Sequence, residues 1–453
     1  MPTAAEKRHR MNRSVGMGNA KRATGGEALL RAISKADGEL DAVRRAIPHC
    51  SMEKCTEALA KAAEGGHVDA VQLLIPVSDP KANDSEALRQ AAANGHLNAV
   101  EILIPVSDPK ANGSAALRWA AHGGHLDVVQ VLVPLSDPKA NDSEALRWAA
   151  ENGYLQVVRE LIPTSDPRAA DDAALRSAAG NGHLDVVRQL IPLCDPKANG
   201  SEALHWAAEN GHLHVVRELI PVSGPAAEKS KALRWAAENG HLDVVKELIP
   251  VSDPTANDCE ALRWAARNGH LEIVCALVPL SDPKAKGSDA LRWAAANGHL
   301  EVVHALAAVS DPKANDSEAL YWAARNGHPE IVHALVPLSD PKANGSDALR
   351  QAAENSYLDV VHELVPLSDV GAVFRKELEN IQNEPPRGGG SPWFRAVNAL
   401  APHVDENLLK QAVRDVPASL LKFMPLLAAW RAAARLRKAT PPAAAPPRRR
   451  RSL

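Results

Sequence analysis

The residues best suited to chemistry in this 453-residue chain come at regular intervals. His67, His96, His125, His183, His212, His241, His270, His299 and His328 each follow a glycine, and a row of imidazoles can in principle bind zinc. The spacing argues otherwise. One imidazole per helical unit places neighbours about 10 Å apart, whereas ligands sharing an ion sit roughly 2 Å from it. Tyr154 and Tyr357 fill the same slot, so a hydrogen bond beside the turn glycine is the better reading. The cysteines at 50, 55, 194, 259 and 275 are odd in number and lack paired zinc-site spacing, which predicts reduced thiols. A phosphate loop, a nucleophile elbow and a His-Glu-x-x-His helix are all missing from the sequence. No catalytic residue, cofactor, metal or small-molecule substrate is expected.

What remains is chemistry of contact. Trp119, Trp148, Trp206, Trp235, Trp264, Trp293 and Trp322 stand two residues after a repeating leucine, with a break at Ser177. Three residues further on the chain carries Glu151, Glu209, Glu238, Arg267 and Arg325. At about 100° per residue, the +2 position points 160–200° away from the leucine and its +3 and +4 neighbours. Both rows then fall on the open side of a helix, as a groove for a partner; packing of the indoles on one another is the competing account. Charge is uneven as well. The net −3 combines basic ends, +5 in residues 1–26 and +8 in residues 431–453, with −16 between them. Such a body is a poor match for duplex phosphates, although Arg448, Arg449, Arg450 and Arg451 could serve nuclear targeting or anion binding.

These rows are set by a repeat. The phrase Ser-Glu-Ala-Leu-Arg-Trp-Ala-Ala-Glu-Asn-Gly-His-Leu-Asp-Val-Val recurs, with variations, every 29 residues from Leu59 to Leu349. Leu88, Ala91 and Ala92 predict the buried side of a short first helix. Asn83 and Glu86 have the spacing of an N-cap and its returning glutamate, and Gly95 ends the helix. Leu97, Ala99, Val100, Leu103 and Ile104 give a second helix its apolar stripe, which Pro105 terminates. Each pair is too small to bury its own apolar surface and must stack on its neighbours.

The phrase Leu-Arg-Trp-Ala-Ala-Glu-Asn-Gly-His-Leu-Asp-Val-Val resembles the ankyrin repeat, over residues 55 to 369 and in eleven in-phase copies. A Glu-Ala-Leu-Arg start and a 29-residue period depart from the usual pattern, so the β-turn finger should be shortened or lost. The expected fold class is all-α, an ankyrin-like helical solenoid of about eleven helix-turn-helix repeats with a small C-terminal helical segment. Along the chain this gives a basic disordered segment at 1–26 and an array with degenerate caps at 27–380. A flexible linker at 381–402, a helical segment at 403–439 and a Pro/Arg-rich disordered tail at 440–453 complete it.

The resemblance implies a non-enzymatic scaffold that binds a protein through its concave face. A nuclear or nucleic-acid-associated factor directed by the basic tail, and a pathogen effector binding host proteins, are the alternatives. Nucleic acid is not expected on the array itself. No stretch is apolar enough to span a membrane, and residues 1–26 lack the apolar core of a secretory signal. A cytoplasmic, or alternatively nuclear, monomer is the resulting expectation.

Overall fold

The computed structural model describes residues 26–34, 40–383, 391–417 and 419–439, all helix, turn or coil without a strand among them. Each repeat pairs a first helix, such as Ala140–Glu151, with a seven-residue second helix, here Leu155–Leu161. Alanines at +3 and +4 keep the first helix slim. Ala120, Ala121, Ala149 and Ala150 are all fully buried, which lets successive first helices pack closely. The second helices bury Val129, Leu132, Val158 and Leu161 completely, each worth about 1.5–3 kcal/mol on removal from water.

The turn between the two helices explains the Gly-His pair. Gly95 has φ +72, and a Cβ placed on it would lie 2.4 Å from Nδ1 of His125 in the next repeat. Glycine is thus needed both for the left-handed backbone and for the approach of the neighbouring imidazole. At the far end, Pro105 does stop the second helix, which tightens into a 3₁₀ turn at Ile104–Val106. The Asp108 carboxylate then accepts from the Lys110 amide at 2.9 Å, while the Asp108 amide donates to Ser85 Oγ at 2.9 Å and ties the loop to the start of its own repeat. Ser107 Oγ donates to the Pro80 carbonyl at 3.4 Å, linking consecutive loops. Turns occupy the place of the finger.

The expected Asn83 cap is not formed. Asn83, Asp84 and Ser85 have φ of 51, 59 and 58, a single left-handed turn before the right-handed helix proper. Asn83 instead donates through Nδ2 to Glu86 at 3.1 Å. Left-handed backbone costs about 1–2 kcal/mol per ordinary residue, and Asn, Asp and Gly bear it best. That accounts for the Asn-Asp-Ser or Asn-Gly-Ser spelling at most of these turns; Glu228, Lys229 and Ser230 adopt the same conformation with less favourable residues.

The chain divides into two compact units, Met1–Ala232 and Leu233–Leu453. In the first, first helices from Met52–Glu64 to Ala198–Glu209 stack in sequence, and second helices from Val68–Leu74 to Leu213–Leu219 do the same. Helical residues 26–33 and the helix Leu40–Ala46 form the degenerate leading repeat, with Leu29, Ile33 and Val43 in the core. In the second unit, the stacked pairs run to Ala343–Glu354 and Leu358–Leu364, followed by Val370–Asn383, which buries Phe374, Leu378 and Ile381.

The flexible linker expected at 381–402 needs correcting. Residues 392–400 form the helix Pro392–Leu400, packed on Ala343–Glu354 and Val370–Asn383 with Phe394, Val397 and Leu400 fully buried. Phe394 stacks on Phe423 at 5.2 Å. Phe394, Val397 and Leu400 form an i, i+3, i+6 apolar stripe directly after the Pro- and Gly-rich stretch Pro385 to Pro392, whose composition is that of a linker. Helices Glu406–Asp415, capped by Asp405, and Pro425–Ala439 follow. The expected basic segment 1–26, apart from Gly26, and the tail 440–453 with Arg448–Arg451 lie outside the described residues.

Candidate partner-binding face

The histidine row is a set of inter-repeat hydrogen bonds. Nε2 of His96, His125, His183, His212, His270, His299 and His328 lies 2.9–3.1 Å from the +5 carbonyl of the preceding repeat, as in His125 to Ala93 and His299 to Arg267. Each bond satisfies a carbonyl at the end of a first helix, where no intrahelical donor remains. Beyond the last of these turns, Arg395 donates to the equivalent carbonyl of Glu354 at 2.6 Å. Helix Pro392–Leu400 therefore closes the array with an arginine where the repeats use histidine.

Each tryptophan stands two residues after a buried leucine, which at about 100° per residue turns it away from that leucine's side of the helix. Trp119 and Trp206 are 38% and 45% exposed, and the other five are half-buried. They are packed and open at once. In the first unit Trp119 and Trp148 meet at 5.3 Å, with His122 set edge-on to both. In the second, Arg267 lies 4.6 Å from each of Trp264 and Trp293, Arg292 lies 4.6 Å from Trp293, and Arg325 lies 4.8 Å from Trp322.

A second ladder, overlooked in the sequence, holds these rings. The residue after each repeating leucine is usually Arg, and the residue two before the next repeating leucine is usually Glu or Asp. Arg118–Glu144, Arg176–Glu202, Arg234–Glu260, Arg263–Asp289 and Arg292–Glu318 join consecutive first helices in this way. The same acids orient the indoles: Trp206, Trp264 and Trp322 donate through Nε1 to Glu202, Glu260 and Glu318 at 3.2–3.4 Å. Burial by itself would raise the Glu260 pKa, but hydrogen bonds from Asn257, Arg234 and Trp264 outweigh it and hold the carboxyl below its ordinary range. Its contribution to stability is present above the ordinary carboxylate pKa and fades as pH falls through the lowered value.

Sequence does carry a trace of this ladder. Where Lys231 takes the acid position, His205 takes the preceding arginine position. Where the acid is replaced by Ala115 or Ala173, Arg89 and Arg147 turn back to Glu86 and Glu144 of their own helices. Two cavities lie where the arginine is replaced. Ala60 stands in its place before Glu86, beside a cavity of about 700 Å³, and Tyr321 stands in its place before Asp347, beside one of about 330 Å³. Ala60→Arg should extend the ladder to Glu86. The expected gain is about 0.5–1 kcal/mol for a partly buried pair, read as a rise of about 1–2 °C in thermal melting relative to Ala60→Gln. A melting point unchanged from the glutamine control would show that the ladder adds no stability there.

The other reactive groups are inert or solitary. Burial pushes the Cys194 thiol up to about 12 and the Cys55 thiol up to about 11, so neither is a ready nucleophile. Among the described residues all five cysteines are free, and no group of three or more His, Cys, Asp or Glu is placed to hold a metal ion. Glu377 is completely buried, and desolvation raises its pKa.

Of the residues singled out from sequence, the tryptophans with Glu151, Glu209, Glu238, Arg267 and Arg325 are exposed or half-buried. No described helix is long and apolar enough to cross a membrane. A search of curated proteins found no match. The family model for ankyrin repeats (3 copies) matches residues 29–112, 88–171, 146–230, 175–258, 233–316 and 291–373. Repeats of this kind are protein–protein interaction modules, and with its stacked helix pairs and its Gly-His turns this chain belongs to the ankyrin repeat family.

Proposed function

We propose that the protein is a non-enzymatic scaffold that captures a protein partner on the tryptophan-bearing, concave face of its first helices. The observation that supports this most is the combination of partial exposure and fixation. The indoles keep an open edge, while Nε1 bonds to the ladder acids and stacking on arginines remove the entropy that a partner would otherwise have to overcome. Trp and Arg are also the residues most often found as binding hot spots.

The test is a paired substitution. Trp264→Leu with Trp293→Leu should weaken binding by about 2 kcal/mol or more, roughly thirtyfold, because two central aromatic anchors are lost. Partners retained by the wild-type chain would be identified by mass spectrometry, purified, and titrated against both proteins by calorimetry. Equal affinity for the two proteins, accompanied by a lower melting temperature in the variant, would make the indoles internal staples and defeat the proposal.

A further inference from the structure

The geometry points to Arg267 and Arg325 as paired carboxylate-binding positions, so that the partner segment received by the second unit is acidic; this rests on the scaffold reading above. Arginines are plentiful on this face, but most are already engaged. Arg234 pairs with Glu260, Arg263 with Asp289, and Arg292 with both Asp289 and Glu318. Arg350 is held by Asp347 and Glu354. Arg267 and Arg325 form no ion pair among the described residues. Among the described residues, the Arg325 guanidinium meets the Tyr321 hydroxyl at 3.2 Å and the face of Trp322.

Their settings suit a carboxylate in particular. The Arg267 guanidinium carbon lies 4.6 Å from the ring centroids of both Trp264 and Trp293. The guanidinium N–H donors make no hydrogen bond among the described residues, and the planar fork they form matches a carboxylate. A cavity of about 210 Å³, several waters in size, opens beside it between the two indoles, and its acids Glu260 and Asp289 are already neutralised by the ladder. The positive stretch is bounded. Along the same +5 row, Glu238 precedes Arg267 and Glu354 follows Arg325, while the intervening Ala296 is a low, buried floor.

Arg267 and Arg325 are two repeats apart. At about 8–10 Å per packed helix, that is roughly 20 Å, the reach of about six residues of extended chain. The ligand is therefore a peptide segment with two Asp or Glu residues separated by about five others. An intervening apolar side chain would meet Trp293.

The experiment uses the full chain and two pools of fluorescein-labelled synthetic peptides. One pool carries Glu at positions 1 and 7 with neutral residues, including apolar ones, between; the other is identical except for Gln at those two positions. Anisotropy should show binding of the Glu pool, weakening as salt rises, and little binding of the Gln pool. The double variant R267Q/R325Q should lose about tenfold or more in affinity for the Glu pool at temperatures where it remains folded, its melting temperature falling by no more than a few degrees as the contacts to the indoles are lost. Arg267→Lys should fall between, since it keeps the charge and loses the planar fork. Equal binding of both pools, no binding of either, or full affinity in R267Q/R325Q would overturn the assignment. If the Glu pool quenches tryptophan emission but ignores the two arginines, the face still binds protein and only the carboxylate assignment falls. If the purified partner binds equally to the Trp264→Leu/Trp293→Leu variant, the face itself is wrong.

Discussion

Phe394→Ala should cost about 3–5 kcal/mol and loosen the C-terminal end of the second unit before anything else, since a fully buried aromatic ring is removed from a site with little capacity to collapse. Its ring stacks on Phe423, and its helix carries the Arg395 bond to the Glu354 carbonyl that closes the last full repeat. Stability along a repeat array is a sum of local and nearest-neighbour terms, so the damage should be regional. Hydrogen exchange is the appropriate measurement. Amides of residues 370–383 and 392–415 should lose protection, while those of Ala285–Asn297 keep theirs, and the protein should become more prone to aggregate as the end of the stack is bared. Were Pro392–Leu400 merely a tether, the substitution would leave exchange unchanged throughout. Arg395→Ala is a milder version: one carbonyl loses its donor, at about 0.5–1.5 kcal/mol.

The second large effect is expected at the Gly-His turn. Gly95→Val puts a β-branched residue at φ +72 and drives its Cβ into the imidazole of His125. Backbone strain of about 1–2 kcal/mol adds to the loss of the 3.1 Å His125–Ala93 hydrogen bond, worth about 0.5–1.5 kcal/mol. Together they should lower stability by about 2–3 kcal/mol in chemical denaturation. A discriminating control is available. His125→Ala combined with Gly95→Val should cost less than the two single changes added together, because the clash exists only when both side chains are present. Strict additivity would show that the imidazole does not pack over the glycine.

The alternation of Leu, Ala and Ala with Val, Val and Leu at a strict 29-residue period determined the helix pairs, their stacking and the family, because such short units can bury their apolar faces only against copies of themselves. The side of the first helix on which the tryptophans lie also followed from the sequence, since +2 is set by the helical angle from the buried leucine. Other features were decided by tertiary structure. Asn83 has the spelling of a cap, but residues 83–85 take a left-handed turn in which Ser85 Oγ accepts from the Asp108 amide at the other end of the repeat, and this turn stands where the cap would be. The Arg–Glu ladder joins residues 26 positions apart, a separation that means nothing until the first helices lie side by side. Pro392–Leu400 reads as linker by its neighbours and becomes a closing helix because Ala343–Glu354 offers an unsatisfied carbonyl and an apolar face at the end of the stack. Likewise, the +5 position set Arg267 apart from Arg263 but did not show what either would meet. One guanidinium is placed opposite Asp289 and the other between two indoles, and only the packing of consecutive repeats decides which.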